Sequence, residues 1–283
     1  MIKNFLLSIF LLLIPSCFWG NTVYRPQVSV AGFIPLSGSG RDIYNFNPGW
    51  RYYKGDMERA ETVELDDSDW EVVATPHSVE LMPAEASGCR NYQGPVWYRK
   101  WFVIPAATRG KQVFIHFEAV MGKQKVYLNG HLVKEHLGGY LPFNIDLTAN
   151  GIQAGDSCLI AVMADNSDDK SYPPGKRQYT LDFSYHGGIY RDVWMIAKSD
   201  VSITDAVDAG KVAGGGVFIH YGRISEKKAD ILIDTEVRNN GKRQRKVEVE
   251  SSLVDATGTL IKRVVAMVHL DAGQSKTVNQ KIE

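Results

Sequence analysis

The sequence predicts an all-β protein: a jelly-roll β-sandwich followed by a smaller immunoglobulin-like β-sandwich. Three observations predict it. Past residue 20, apolar residues do not recur at helical spacing; short runs rich in β-branched and aromatic residues, bounded by Gly, Pro, Asn and Asp, stand instead. Asn129-Gly130 separates two such runs, and a two-residue type I′ hairpin needs positive φ at both positions, which this pair tolerates. After Trp194 the texture changes to clean period-two segments joined by Asn-Gly and Thr-Gly turns.

The first sandwich should use the runs 97–104, 112–120, 124–130, 131–137, 143–147, 158–164 and 189–196 as strands, with 147–155 as a connection. Many short strands with long decorated loops suit two antiparallel sheets face to face. In "GGIYRDVW" (187–194) two glycines permit a bend; alternation from Ile189 then puts Ile189, Arg191, Val193 and Met195 on one face. Arg191 is expected either paired inside the sandwich or turned toward a neighbouring domain. In the second block Ile231, Ile233 and Thr235 share a face opposite Leu232, Asp234 and Glu236. An immunoglobulin-like sandwich needs about 100 residues and seven strands. Residues 199–283 fall short of that, so this domain is expected to be truncated by one or two strands.

The N-terminus reads as a signal peptide over residues 1–20. Lys3 precedes an apolar run, 5–14, too short to span a bilayer, and Pro15 breaks it. The expected location is therefore outside the cytoplasm, in a bacterial periplasm or at the cell surface. "IPSC" (14–17) resembles, imperfectly, a lipobox, which would place a lipid anchor on Cys17. Cys89 and Cys158 do not make a disulfide framework, and Cys158, in "CLIAVMA", reads as a small buried apolar residue.

The 283 residues carry 32 Lys+Arg against 32 Asp+Glu, and this balance gives no long-range attraction for nucleic acid. The basic run Lys242–Lys246 follows Asn-Asn-Gly and reads as a solvated turn and edge strand. "GSG" (38–40) and "GGG" (214–216) lack the strand-loop-helix setting of a phosphate site and read as flexible loops. His131 and His136 should lie on opposite strand faces, and no Cys/His cluster has zinc spacing. No cofactor is expected.

Six segments in order, 46–56, 70–78, 96–105, 126–148, 161–168 and 187–196, resemble the N-terminal half of glycoside hydrolase family 2, the β-galactosidase, β-glucuronidase and β-mannosidase group. The resemblance implies a galactose-binding-like jelly roll over residues 21–198, an immunoglobulin-like domain, and a following (β/α)8 barrel as the partner that performs retaining hydrolysis. The family's catalytic residues are two barrel glutamates, one preceded by Asn. This sequence has no Asn-Glu dipeptide, so no catalytic residue is assigned and the chain is expected to be inactive alone. Two substrate contacts carry over: Asp165, in "ADNSDD", as acceptor for hydroxyls of a terminal β-glycoside, and Asn91, in "CRNYQG". For Asp165 a plain Asx turn is the competing reading. Tyr92 is a candidate for stacking on a sugar, and His77 for a structural bond to loop backbone. A stand-alone carbohydrate-binding module or surface adhesin, and a purely structural sandwich, are the readings from other classes.

Overall fold

The computed structural model describes residues 23–28, 40–82, 91–183 and 185–283. The proposed signal peptide, Cys17 and Cys89 lie outside the described residues. Apart from two 3-10 turns, Ala106–Thr108 and Gln178–Thr180, the regular structure is β. The first sandwich contains β1 (Gln27–Val28), β2 (Asp42–Asn45), β3 (Trp50–Lys54), β4 (Glu71–Val73), β5 (Pro95–Val103), β6 (Gln112–Phe117), β7 (Lys123–Leu128), β8 (His131–Leu137), β9 (Phe143–Asp146), β10 (Ser157–Asp165) and β11 (Val193–Lys198). One sheet has the order β1-β2-β11-β6-β9 and the other β4-β3-β5-β10-β7-β8, with every pairing antiparallel.

The two central strands of the larger sheet, β5 and β10, are buried on both faces. Val96, Tyr98 and Phe102 point into the sandwich and meet Ala164, Val162 and Cys158 in register. Trp97, with Ala161 of β10, faces the other way, where Ala60 and Trp70 cover the sheet. This covering segment explains why "WYRKWFVI" shows no polar-apolar alternation. Two adjacent basic side chains on β5 are both buried, one on each face. Arg99 points outward and is enclosed: its Nε is 2.7 Å from Asp67 Oδ2 and its other nitrogens donate to the carbonyls of Ala60, Thr62 and Leu65. Lys100 points inward, donates to the Phe46 carbonyl, and has the rings of Phe46, Tyr24 and Trp50 at 4.0, 4.1 and 4.8 Å.

The β7–β8 turn is as expected, with φ of 48° at Asn129 and 85° at Gly130. The closing strand differs from expectation. β11 begins at Val193, and Ile189–Asp192 form no strand. Their backbone is used otherwise: the Ile189 carbonyl accepts from His77 N–H and the Asp192 carbonyl from Glu118 N–H. Arg191 is exposed, its guanidinium 5.8 Å from the Tyr190 ring, rather than inside the sandwich. Gly188 has φ +87°, and Gly187 packs against Asn166 and Val79.

The second layered unit contains β12 (Val201–Ile203), β13 (Val217–Ile224), β14 (Ala229–Asn239), β15 (Arg245–Val254), β16 (Leu260–Leu270) and β17 (Ser275–Ile282). β12 and β13 pair one after the other along one edge of β14, and β17 pairs along the other. The β15–β16 hairpin forms the second layer, and Val237, Val249, Leu270 and Val278 make the core between the layers. Val217, Ile219 and Tyr221 pair with Thr235, Ile233 and Ile231 and so share the inner face, yet they are 50%, 52% and 57% exposed. The hairpin covers β14 and leaves β13 open. "GGG" (214–216) belongs to a loop fastened to β14, since Gly216 N–H donates to Thr204 Oγ1, its carbonyl accepts from Glu236 N–H, and Lys211 pairs with Glu236. That loop also touches the first sandwich, where Asn144 Nδ2 donates to Asp208 Oδ2 at 2.7 Å.

Candidate functional site

Asp165 is the last residue of β10, flanked by Lys123 of β7 and Pro95 of β5. Its strand end is held closely by neighbouring backbone: a Cβ on Gly122, whose φ is +94°, would lie 1.9 Å from the Asp165 carbonyl oxygen. The half-buried carboxylate accepts the Ser167 N–H on Oδ1 at 2.9 Å. The Asx turn therefore exists, and it uses one of the two oxygens.

The next residue organises the surroundings. Asn166 is 2% exposed; its Oδ1 accepts from Gly94 N–H, its Nδ2 donates to the Tyr92 carbonyl, and its own carbonyl accepts from Gln178 Nε2. One residue thus ties the loop after β10 to the loop before β5 through its side chain and to the turn at 178 through its backbone carbonyl. Sequence reasoning missed Asn166; the only available signal was an amide one residue beyond the apolar run 158–164. Asp168 reinforces the same joint, accepting on Oδ1 from Gln93 Nε2 at 3.2 Å and from Gln178 N–H at 3.0 Å. Asp169 pairs with Lys123 at 2.6 Å; that ammonium, with the Ser171 hydroxyl and amide, holds its carboxyl well below the usual carboxylate range.

Asn91 lies on the neighbouring loop, so both candidate contacts sit at one end of the sandwich. Its amide, however, turns inward: Nδ2 donates to the Tyr185 carbonyl at 2.7 Å and contacts Met82 Sδ, while the buried Oδ1 has no hydrogen-bond partner among the described residues. Tyr92 is committed to the loop as well. Its hydroxyl donates to the Pro95 carbonyl, its N–H to Glu80 Oε2, and Lys54 stands 4.9 Å over its ring. Among the described residues Tyr140, Tyr179 and Phe183 are exposed aromatic side chains.

His77 serves as structural glue: beside its backbone bond to Ile189, its Nδ1 is 2.9 Å from the Tyr98 hydroxyl. His136 stacks on Phe143 and bonds Gln124, whereas His131 is exposed. Among the described residues no group of three or more His, Cys, Asp or Glu side chains is placed to hold a metal ion. Cys158 is a free, buried thiol, and burial pushes it up to about 12. No described helix is long and apolar enough to cross a membrane.

A family model for the sugar-binding domain of glycosyl hydrolases family 2 matches residues 45–199, which run from the end of β2 through β11. The chain belongs to glycoside hydrolase family 2. Within that family it is 34% identical over 241 residues to a β-galactosidase of Thermoanaerobacter pseudethanolicus, covering 82% of this chain and 31% of the relative. It is 30% identical over 257 residues to a β-glucuronidase of Formosa agariphila, covering 86% of this chain and 26% of the relative. Among solved structures, Bacteroides uniformis β-glucuronidase 2 superposes with a TM-score of 0.74 at 26% identity, over 86% of this chain and 28% of the other. The chain thus spans less than a third of the length of these family 2 relatives.

Proposed function

We propose that this chain is the N-terminal, non-catalytic region of an exported family 2 glycosidase acting on terminal β-glycosides, of β-galactosidase type. In this reading Asp165 reaches from the jelly roll to a sugar held by a catalytic barrel. The observation that carries it is the setting of Asp165: a carboxylate at the end of a rigid central strand, with one oxygen committed to Ser167 N–H, where the loops at 91–95, 165–169 and 185–188 converge. An ionised carboxylate only accepts hydrogen bonds, and sugar hydroxyls donate them. Asn91 has a supporting part, its Nδ2 holding the Tyr185 backbone.

Hydrolysis with retention needs two carboxyl groups about 5–5.5 Å apart across the scissile bond. The absence of an Asn-Glu dipeptide supports assigning that chemistry to another domain. The open β13 face supports an immunoglobulin-like second sandwich that gains further strands in the intact enzyme. Export, with Cys17 as a lipid-anchor site, rests on the N-terminal sequence.

The test is a chimaera in which this chain replaces the matching N-terminal part of the Thermoanaerobacter β-galactosidase. The chimaera should hydrolyse an aryl β-galactoside, and Asp165→Ala should lower kcat/KM at least about a hundredfold, a loss of roughly 2.7 kcal/mol. The unfused chain should show no turnover. Turnover by the chain alone, or an Asp165→Ala chimaera as active as its parent, would remove the reading.

A further inference from the structure

The segment between β10 and β11 holds a half-exposed aromatic ring on a fixed support, with the Arg177 guanidinium 6.0 Å from its centroid. Tyr179 occupies the 3-10 turn Gln178–Thr180 and is 47% exposed. The residue before it, Gln178, is 3% exposed and bonds the Asn166 carbonyl and Asp168 Oδ1. Thr180 closes the turn, donating from both N–H and Oγ1 to the Arg177 carbonyl. Arg177 Nη1 donates to the Tyr179 hydroxyl at 3.1 Å, which sets the ring's direction. Gln93 reaches the same place through its bond to Asp168.

An exposed ring, a guanidinium, a carboxylate and a carboxamide thus lie together. They are joined by the Gln178 side chain to Asn166, the residue next to Asp165. A loosely attached surface tyrosine needs no explanation. Here the buried Gln178 side chain, bonded to the Asn166 backbone carbonyl, and the Gln178 N–H, bonded to Asp168, fix the turn that carries it. The composition also indicates the ligand. The centre of a protein interface is depleted of charge, whereas Arg177, Asp168 and Gln93 around Tyr179 are all exposed. A sugar unit suits that mixture, since its C–H face lies on the ring and its hydroxyls meet planar donors and acceptors.

The geometry points to a second carbohydrate-binding position centred on Tyr179, taking units of a β-linked oligosaccharide beyond the terminal sugar. It rests on the reading above only in placing the terminal sugar at Asp165.

The experiment is calorimetric titration of the whole chain with methyl β-D-galactoside and with β-1,4-linked galacto-oligosaccharides from disaccharide to hexasaccharide. Affinity should rise about tenfold between the monosaccharide and the tetrasaccharide, the worth of one good stacking contact. Tyr179→Ala should abolish that rise, Arg177→Gln should reduce it, and both should leave thermal unfolding unchanged. Binding independent of length, no binding at all, or a rise that survives Tyr179→Ala overturns the proposal. So does self-association that disappears in Tyr179→Ala without any effect of sugar, because the ring would then be a protein contact. Loss of all binding in Asp165→Ala without length dependence would leave the terminal-sugar reading standing and this one fallen. Length dependence indifferent to Asp165→Ala would do the reverse.

Discussion

Gly188 lies directly beneath the hydroxyl of Tyr98: a Cβ at position 188 would stand 2.2 Å from Tyr98 Oη, the atom that also meets His77 Nδ1 at 2.9 Å. The bend that brings the chain into β11 is therefore built around the buried Tyr98 and its half-buried partner His77. Gly188→Ala has two costs, the positive φ of 87° and the overlap with a fully buried ring. Urea denaturation should show a loss of about 3 kcal/mol, within the range of single strained or overpacked sites. Gly110 is the control. Its φ is +79° but nothing lies within 4 Å of its Cβ position, so Gly110→Ala should cost only about 1 kcal/mol.

The same pair makes the junction acid-sensitive. Burial holds His77 below its ordinary value, with the nearby Glu71 charge opposing. Between the folded value and the unfolded value of about 6.5, the unfolded chain binds more protons, so stability falls as pH falls through that window and levels off below it. Protonation would also turn Nδ1 into a donor facing the Tyr98 hydroxyl. Denaturation at pH 8 and pH 5 should show a loss that is smaller in His77→Gln. An equal loss in both proteins would assign the acid limb to carboxylates elsewhere.

Much of this architecture is legible in the sequence because local chemistry and tertiary need agree. Asn129-Gly130 announces its hairpin, and the apolar run of β10 announces a buried strand. Ile189–Asp192 mislead because their alternation matches a strand, while Gly188 and the bond from His77 to the Ile189 carbonyl impose a turn that no periodicity records. The inward turn of Asn91 is invisible for a related reason: it depends on the backbone of Tyr185, 94 positions away. Asp165 could be singled out only through the family resemblance of the segment after the apolar run of β10; Asn166, which ties the neighbouring loops together, differs from any other loop amide only in its partners.

Arg99 and Lys100, adjacent on β5, differ in how their burial is compensated. Arg99 is matched by Asp67 and three carbonyls, so Asp67→Asn leaves a buried guanidinium without its counter-charge and should cost about 3 kcal/mol. Lys100 has one carbonyl acceptor, Phe46, which Trp50 Nε1 also satisfies at 3.2 Å. Burial drives the Lys100 amine well below the ordinary lysine range. Lys100→Met, similar in length and apolar, orphans no acceptor and should raise stability by about 1 kcal/mol or more at pH 7. The unfolded lysine titrates near 10.4, so wild-type stability should climb as pH rises from the folded value toward that point. Lys100→Met should lose this climb. A variant less stable than wild type would mean that the three rings hold a charged ammonium at net gain.

Ile219 and Ile233 are cross-strand partners on one face, yet they are 52% and 7% exposed. Replacing each by Thr keeps β-branching, so strand propensity is nearly constant and burial is the variable. At Ile233 the hydroxyl would enter the contact between β14 and the β15–β16 layer, and the loss should be about 2 kcal/mol. At Ile219 the side chain meets solvent, and the loss should stay below about 0.5 kcal/mol. Val217 and Tyr221 extend the same open strip, so Ile219→Thr should also lower self-association at high concentration, read by sedimentation velocity. Hydrogen exchange should give the matching picture, with β13 amides far less protected than those of β5 and β10, which are paired on both edges. If Ile219→Thr were as costly as Ile233→Thr, β13 would be covered in solution and the proposal that further strands complete this sandwich would lose its structural basis.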